Sequence, residues 1–262
     1  YNTSLLYAGK EKGNKAIIGE NIFADSSNVL GKLLGRNVTA VVNEISGEIT
    51  AAWENRLSHK IIAAGEDIVS VSGSRIVTDS DGKSKTYTLS DEYDVVYNGY
   101  SNFDFTDSDL MIKNGTVTLV DNNNDDKYEV VFIETYEILT VKLASADDDN
   151  FTMSIEGGET FSYEKDNAAA EDENGSAVSA SGIEANSVVK AYKSLDGRKI
   201  RLVVLSPSAE GRIDSYSSEN VVIDGKEFEC SEHFKNLSDK DLKVGMNAKL
   251  YTDEFGRVIK VV

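Results

Sequence analysis

Asp121, Asn123 and Asp125 place oxygen side chains at alternate positions, and this is the sharpest chemical signal in the sequence. Hard cations take carboxylate and amide oxygens, and a tight turn aims alternate side chains inward. The spacing therefore suits Ca²⁺, with Glu129 adding a carboxylate from the next strand, whereas magnesium would demand a regular octahedron. The loop is not an EF-hand, because Asp126 stands where the sixth position needs glycine and Phe132 where the twelfth needs glutamate. Side-chain turns made by the same Asn and Asp residues account for the loop without an ion. The short ligand count favours that closure.

Other chemistry is thinly represented. His59 and His233 are the only histidines and lie far apart, so with no cysteine cluster a zinc site has no support. Cys230 follows Glu227 and Glu229, whose charges would blunt a thiolate, and it reads as packing. There is no nucleophile elbow and no phosphate-binding glycine loop. Runs such as Asp147-Asp148-Asp149 and Glu171-Asp172-Glu173 offer paired carboxylates, but a glycosidase needs them in a cleft with one pKa raised. Solvated loop charge is the plainer reading, and the chain is expected not to be an enzyme. Tyr93, Tyr97, Tyr100, Phe103 and Phe105 gather around Asn98-Gly99. Sugars stack on exposed rings, but alternating aromatics also pack the two faces of a sheet, and the sheet reading is preferred.

These residues need strands to hold them. Residues 116–120 and 128–133 alternate β-branched and aromatic side chains at period two around the acidic loop, which predicts a hairpin over 115–136. Similar short runs recur along the chain. Helical signals are brief: Ser26 as a cap before Val29 and Leu30, a Thr or Asp cap near residues 104–110, and Ser231 before Phe234. Asp196-Gly197 matches a two-residue primed turn. Residues 167–186, rich in Ala, Ser and acids without periodicity, read as a mobile loop.

The 262 residues carry 45 acidic and 27 basic side chains, a formal net charge of −18. Nucleic-acid affinity comes from Lys and Arg that release counterions, so this balance argues against DNA or RNA; anionic membranes are disfavoured likewise. One cysteine permits no internal disulfide, which suits a cytosolic protein or an extracellular protein of an anaerobe. No apolar run spans a bilayer. The opening Tyr1, without Met or a signal pattern, is expected of a processed or excised chain.

An internal repeat organises the whole. Residues 17–23 align with 222–228, 34–41 with 244–251, and 47–49 with 256–258, in order and near register. Five short strands with one helical interruption after residue 207 are the content of a Greek-key barrel of the OB type. The expected fold is all-β, with OB-like modules at 1–80 and 207–262 flanking a distinct central antiparallel region at 81–206.

The segments 222–228, 242–245, 250–258 and 119–131 look like parts of large cell-surface proteins of Gram-positive bacteria, of the kind that carry S-layer-homology domains. The wall-binding S-layer-homology motif itself is absent. The resemblance implies a secreted, extracellular scaffold or adhesive segment whose partners are cell-wall or surface-layer components, and it supplies no catalytic residues. Two alternatives stand beside it: a carbohydrate-binding module for wall or host glycan, and a structural protein of a phage virion or tail.

Overall fold

The computed structural model describes residues 15–18, 21–100, 104–237 and 242–262. Strands make up 55% of it and helical turns 8%, which places the protein in the all-β class. No helix among the described residues is long and apolar enough to cross a membrane. Contacts divide the chain into two compact units, one through Ile112 plus Thr116–Ile133, the other Lys113–Gly115 plus Glu134–Val262.

The first unit opens with two hairpins, β1 (Lys15–Ile18) with β2 (Asn21–Ala24) and β3 (Val38–Val42) with β4 (Ile49–Glu54). A parallel bridge from Ala24 to Glu48 joins them. Ala16, Ile18, Leu30, Val38 and Ile49 form their core, as period-two alternation requires. The turn before the 3₁₀ segment Gly31–Leu33 is held by Asp25, which accepts the N–H groups of Val29 (2.6 Å) and Leu30 (3.0 Å). Ser26, the expected cap, instead bonds Glu48. Asp25 is buried at the turn, so its two oxygens reach donors that the exposed hydroxyl does not.

A six-stranded sheet follows: β5 (His59–Ala64), β6 (Ile68–Ser72), β7 (Arg75–Ser80), β8 (Lys83–Tyr97), β9 (Thr116–Asp121) and β10 (Lys127–Glu134), in spatial order β5-β9-β10-β8-β7-β6. The boundary expected after residue 80 falls inside this sheet, where β7 and β8 pair across Asp81 (φ 54°) and Gly82 (φ 73°). A hairpin turn and a domain linker draw on the same residues, and only the pairing separates them. Val117, Leu119, Val131 and Ile133 alternate into its core.

The second unit begins with another six-stranded sheet: β11 (Glu137–Ala146), β12 (Asn150–Ile155), β13 (Thr160–Glu164), β14 (Ala168–Asp172), β15 (Val188–Lys193) and β16 (Ile200–Val204), ordered β13-β12-β11-β15-β16-β14. Its four strands β11-β15-β16-β14 repeat the arrangement β5-β9-β10-β8. In each set the first pair is antiparallel and the last pair parallel. The middle of the chain is thus itself duplicated, and its sheets are mixed rather than purely antiparallel. Long crossovers permit the parallel pairs.

Two further expectations are corrected here. Residues 167–186 hold β14, and Ala168, Ala170, Val178 and Ala180 pack with buried Ile183 on the sheet core; alanine gives little β signal, so the parallel ladder is what sets this strand. Asp196-Gly197 does not form a two-residue primed turn. Residues 194–199 make a longer loop in which only Gly197 takes positive φ, because the Asp196 carboxylate accepts the Ser194 hydroxyl (2.6 Å) and the Arg198 N–H (3.1 Å).

The chain ends in a curled half-barrel: β17 (Ala209–Tyr216), β18 (Asn220–Ile223), β19 (Lys226–Glu229), α1 (Glu232–Lys235), β20 (Asn247–Thr252) and β21 (Val258–Val261), ordered β19-β18-β17-β20-β21. Ser231 caps α1 by accepting the Phe234 N–H, as its sequence position predicts. A parallel bridge from Cys230 to Val258 brings the two edges together, giving the OB arrangement with its helix between the third and fourth strands.

The sequence repeat is kept in the strand registers: the hairpins β1–β2 and β3–β4 correspond to β18–β19 and β20–β21 of the curled half-barrel, and together they form the described part of a first, related half-barrel. Ile17 faces Ile22 as Val222 faces Glu227. Val42 faces Ile49 as Thr252 faces Val258, with the bulge at the same step in both ladders. The strand equivalent to β17 would fall before Lys15, outside the described residues.

Candidate functional site

The alternating runs that predict the hairpin become β9 and β10, neighbours in the sheet, and residues 122–126 connect them. A link this short leaves only an antiparallel pair. Asp121, at the end of β9, is fully buried. Its Oδ1 accepts the N–H groups of Asn123 (3.0 Å) and Asn124 (2.6 Å), and its Oδ2 accepts that of Asp126 (2.9 Å). Asn124 and Asp126 sit at φ 63° and 64°, a region that Asn and Asp tolerate. Asp125 Oδ1 accepts the Lys127 N–H (2.9 Å) and Glu129 Oε2 that of Asn122 (2.7 Å).

The loop gathers all four residues that the spacing singles out. Carboxylate oxygens of Asp121, Asp125 and Glu129 lie within 4.8 Å of one another, while Asn123 Nδ2 donates to Asp125 Oδ2 (3.2 Å) and Glu129 Oε1 (3.1 Å). The amide hydrogens thus bridge two carboxylates, the position a cation would take. Burial pushes the Glu129 carboxyl up, and the charges of Asp121 and Asp125 add to it, against the lowering bond from Asn122. All donors are of the type calcium takes, but three carboxylates and one amide fall short of its six to eight oxygens.

Asn122 is the residue sequence reasoning missed. It is buried, and its Oδ1 accepts the Asn37 N–H (2.7 Å) and the Ser58 hydroxyl (2.6 Å) while its Nδ2 donates to the Gly35 carbonyl (2.9 Å). These bonds fasten the first half-barrel to the loop. Gly35 adopts φ +67°, and a Cβ there would stand 2.8 Å from the Phe132 ring, so the close approach requires glycine. Sequence spacing carries no trace of partners up to 87 residues away. His59 arrives likewise through the β5–β9 register, opposite Asp121, with Nδ1 3.6 Å from Oδ2.

Elsewhere the carboxylates close turns. Asp147 accepts the N–H groups of Asn150 and Asp149, which hold its carboxyl below the usual range. Asp172 accepts those of Ser176 and Asn174, Glu171 pairs with Arg201 at 2.8 Å, and Glu173 accepts the Ser206 N–H. Tyr93, Tyr97 and Phe105 pack against the first sheet's core, and Phe103 lies outside the described residues. Cys230 is buried in the second half-barrel's core. Burial, with Lys260 nearby, pushes the His233 imidazole down.

A cavity of about 880 Å³ opens in the second unit, with Phe234, Leu242 and Met246 among its walls and Lys249, Lys260 and Thr140 among its polar groups. Its lysines face Glu210 (3.9 Å) and Glu156 (3.7 Å). The Thr140 hydroxyl is buried without a hydrogen-bond partner. Compared with known proteins, the chain matches no family model and no curated protein.

Proposed function

We propose that this chain is a non-enzymatic structural segment of an extracellular bacterial protein, part of a surface layer or of a wall-associated assembly. The observation that carries this reading is the expenditure of polar side chains on closing loops and fastening modules. Asp121, Asn122, Asp147 and Asp172 each bind backbone groups, and the duplicated sheets and half-barrels repeat as a scaffold does. Its acidic charge suits a soluble surface. Antibody labelling of intact and permeabilised source cells tests it. Labelling and protease shaving of intact cells are expected, and labelling only after permeabilisation overturns it.

One observation favours a ligand-binding role as second reading: the cavity beside α1, with its unpartnered Thr140 hydroxyl. Wall and host glycan fragments titrated against the protein test it, with Thr140→Val expected to weaken any binding. No heat signal from any glycan sets this reading aside.

A further inference from the structure

We propose that the outer face of the first half-barrel, formed by Val41, Thr50, Trp53 and the loop bearing Glu44 and Ile45, docks a β sheet of the β11–β16 kind supplied by another module of this type. Registers make these residues the equivalents of Tyr251, Ile259, Val262, Glu254 and Phe255 in the second half-barrel. Val41 faces Ala51 as Tyr251 faces Lys260, and the Ile45 N–H bonds Asn43 Oδ1 as the Phe255 N–H bonds Asp253 Oδ1. In the second unit the centre of this face is covered, while Val262 (40% exposed) and Phe255 (45%) stand at its open rim. Tyr251 and Ile259 pack with Val188 of β15, against Ile138 and Leu205. Glu254 meets the Lys190 ammonium at 2.7 Å and accepts the Tyr136 hydroxyl at 3.0 Å.

In the first unit the centre of the face is bare as well as its rim: Thr50 is exposed where Ile259 is buried, and Val41 where Tyr251 is. Val41 is 47% exposed, Trp53 51% and Ile45 99%, and Glu44 is exposed beside them. Scattered exposed apolar residues are ordinary. Here they share a face whose duplicate is an interface, so the duplicate defines the occupant: an apolar sheet face with a lysine placed for Glu44 as Lys190 is for Glu254. This molecule's own β11–β16 face is already taken by Tyr251 and Ile259, so the occupant is another module.

The test mixes two full-length variants. The reporter carries Ile45→Cys with an environment-sensitive dye, Cys230 being buried. The acceptor carries Tyr251→Lys with Glu254→Lys, which unseats its second half-barrel and uncovers β15. A saturable blue shift is expected. Adding Lys190→Glu to the acceptor should abolish it, and Glu44→Lys in the reporter should restore it. No shift with a folded acceptor, an equal shift with the unmodified chain, or a shift produced by glycan instead overturns the proposal. If hydrogen exchange shows that the acceptor is unfolded, the milder full-length acceptor Tyr251→Ala with Glu254→Ala replaces it, and the reporter becomes Val41→Cys, at the equivalent of the 5%-exposed Tyr251. Maleimide labelling of that cysteine should then slow roughly tenfold at saturating acceptor relative to the reporter alone, about 1.4 kcal/mol of protection. An unchanged rate overturns the proposal.

Discussion

Tyr251 and Val41 occupy one position in two half-barrels of the same register, yet the first is 5% exposed and the second 47%. Their inward neighbours match closely: Ile49 and Val258, Val38 and Ala248, Ile18 and Ile223 are all buried. The inward face sets the fold, since a one-residue slip would turn every apolar side chain outward. The outward face answers only to its neighbour, and the two neighbours differ. The second half-barrel seats its β20–β21 face on a sheet, whereas the first is fastened through Gly35 and Asn37 to Asn122.

That contrast can be broken by paired substitutions. Tyr251→Ala should cost about 3 kcal/mol in chemical denaturation, as loss of a buried aromatic does, and Val41→Ala no more than about 0.5 kcal/mol. Equal losses would mean that the first half-barrel's face is covered after all. Glu254→Ala should cost about 2 kcal/mol, because it strands the Lys190 ammonium, whose side chain is 7% exposed; the partial exposure of Glu254 holds this below the figure for a fully buried pair. Glu44→Ala should be silent within about 0.5 kcal/mol.

Asn122→Ala sharpens the other half of the comparison. Losing the acceptor for Asn37 and Ser58 and the donor to Gly35 should cost about 2 kcal/mol, and hydrogen exchange should quicken at residues 35–37 and 122–126 together. Exchange confined to the hairpin loop would show that Asn122 does not fasten the half-barrel.

The smallest effects concern the loop charges. With closure by hydrogen bonds, melting temperatures in calcium and in chelator should coincide. A rise of about 3–5 °C at ten times a dissociation constant, the linkage value for roughly 1.4 kcal/mol, would instead establish a cation among Asp121, Asn123, Asp125 and Glu129. Glu129 has a raised folded pKa, so its stabilising contribution is full below the unfolded value near 4.3 and is lost as pH rises through the folded one. Glu129→Gln gives up one of the two oxygens that accept from the Asn122 N–H and Asn123 Nδ2, so it should destabilise at pH 4. At neutral pH, where only wild type carries the unfavourable charge, it should do so by a few tenths of a kcal/mol less after solvent screening. A difference between variant and wild type that is the same at pH 4 and pH 7 would show that the charge at Glu129 carries no penalty.

Much of this architecture is legible from local rules. Period-two alternation marks β9, β10, β12 and β15, Asp224 and Gly225 turn a hairpin with both residues at positive φ, and Ser231 caps α1. The repeat is legible because both copies keep the same turns and inward residues. Less visible were β6, β13 and β14, each a five-residue strand at the edge of its sheet, too short for its alternation to stand out or, in β14, built of alanine and acids. Asp121, Asn123, Asp125 and Glu129 were found by spacing alone, since a hairpin loop brings near neighbours together.

Composition, turn chemistry and alternation thus determined an acidic all-β chain with related ends and an oxygen-rich hairpin loop, because each of these depends on residues a few positions apart. Tertiary structure alone decided that Asn122 reaches Gly35, that His59 stands by Asp121, that each middle sheet holds a parallel pair, and which half-barrel face is covered. Those facts depend on register and crossover between distant segments, and no local preference encodes them.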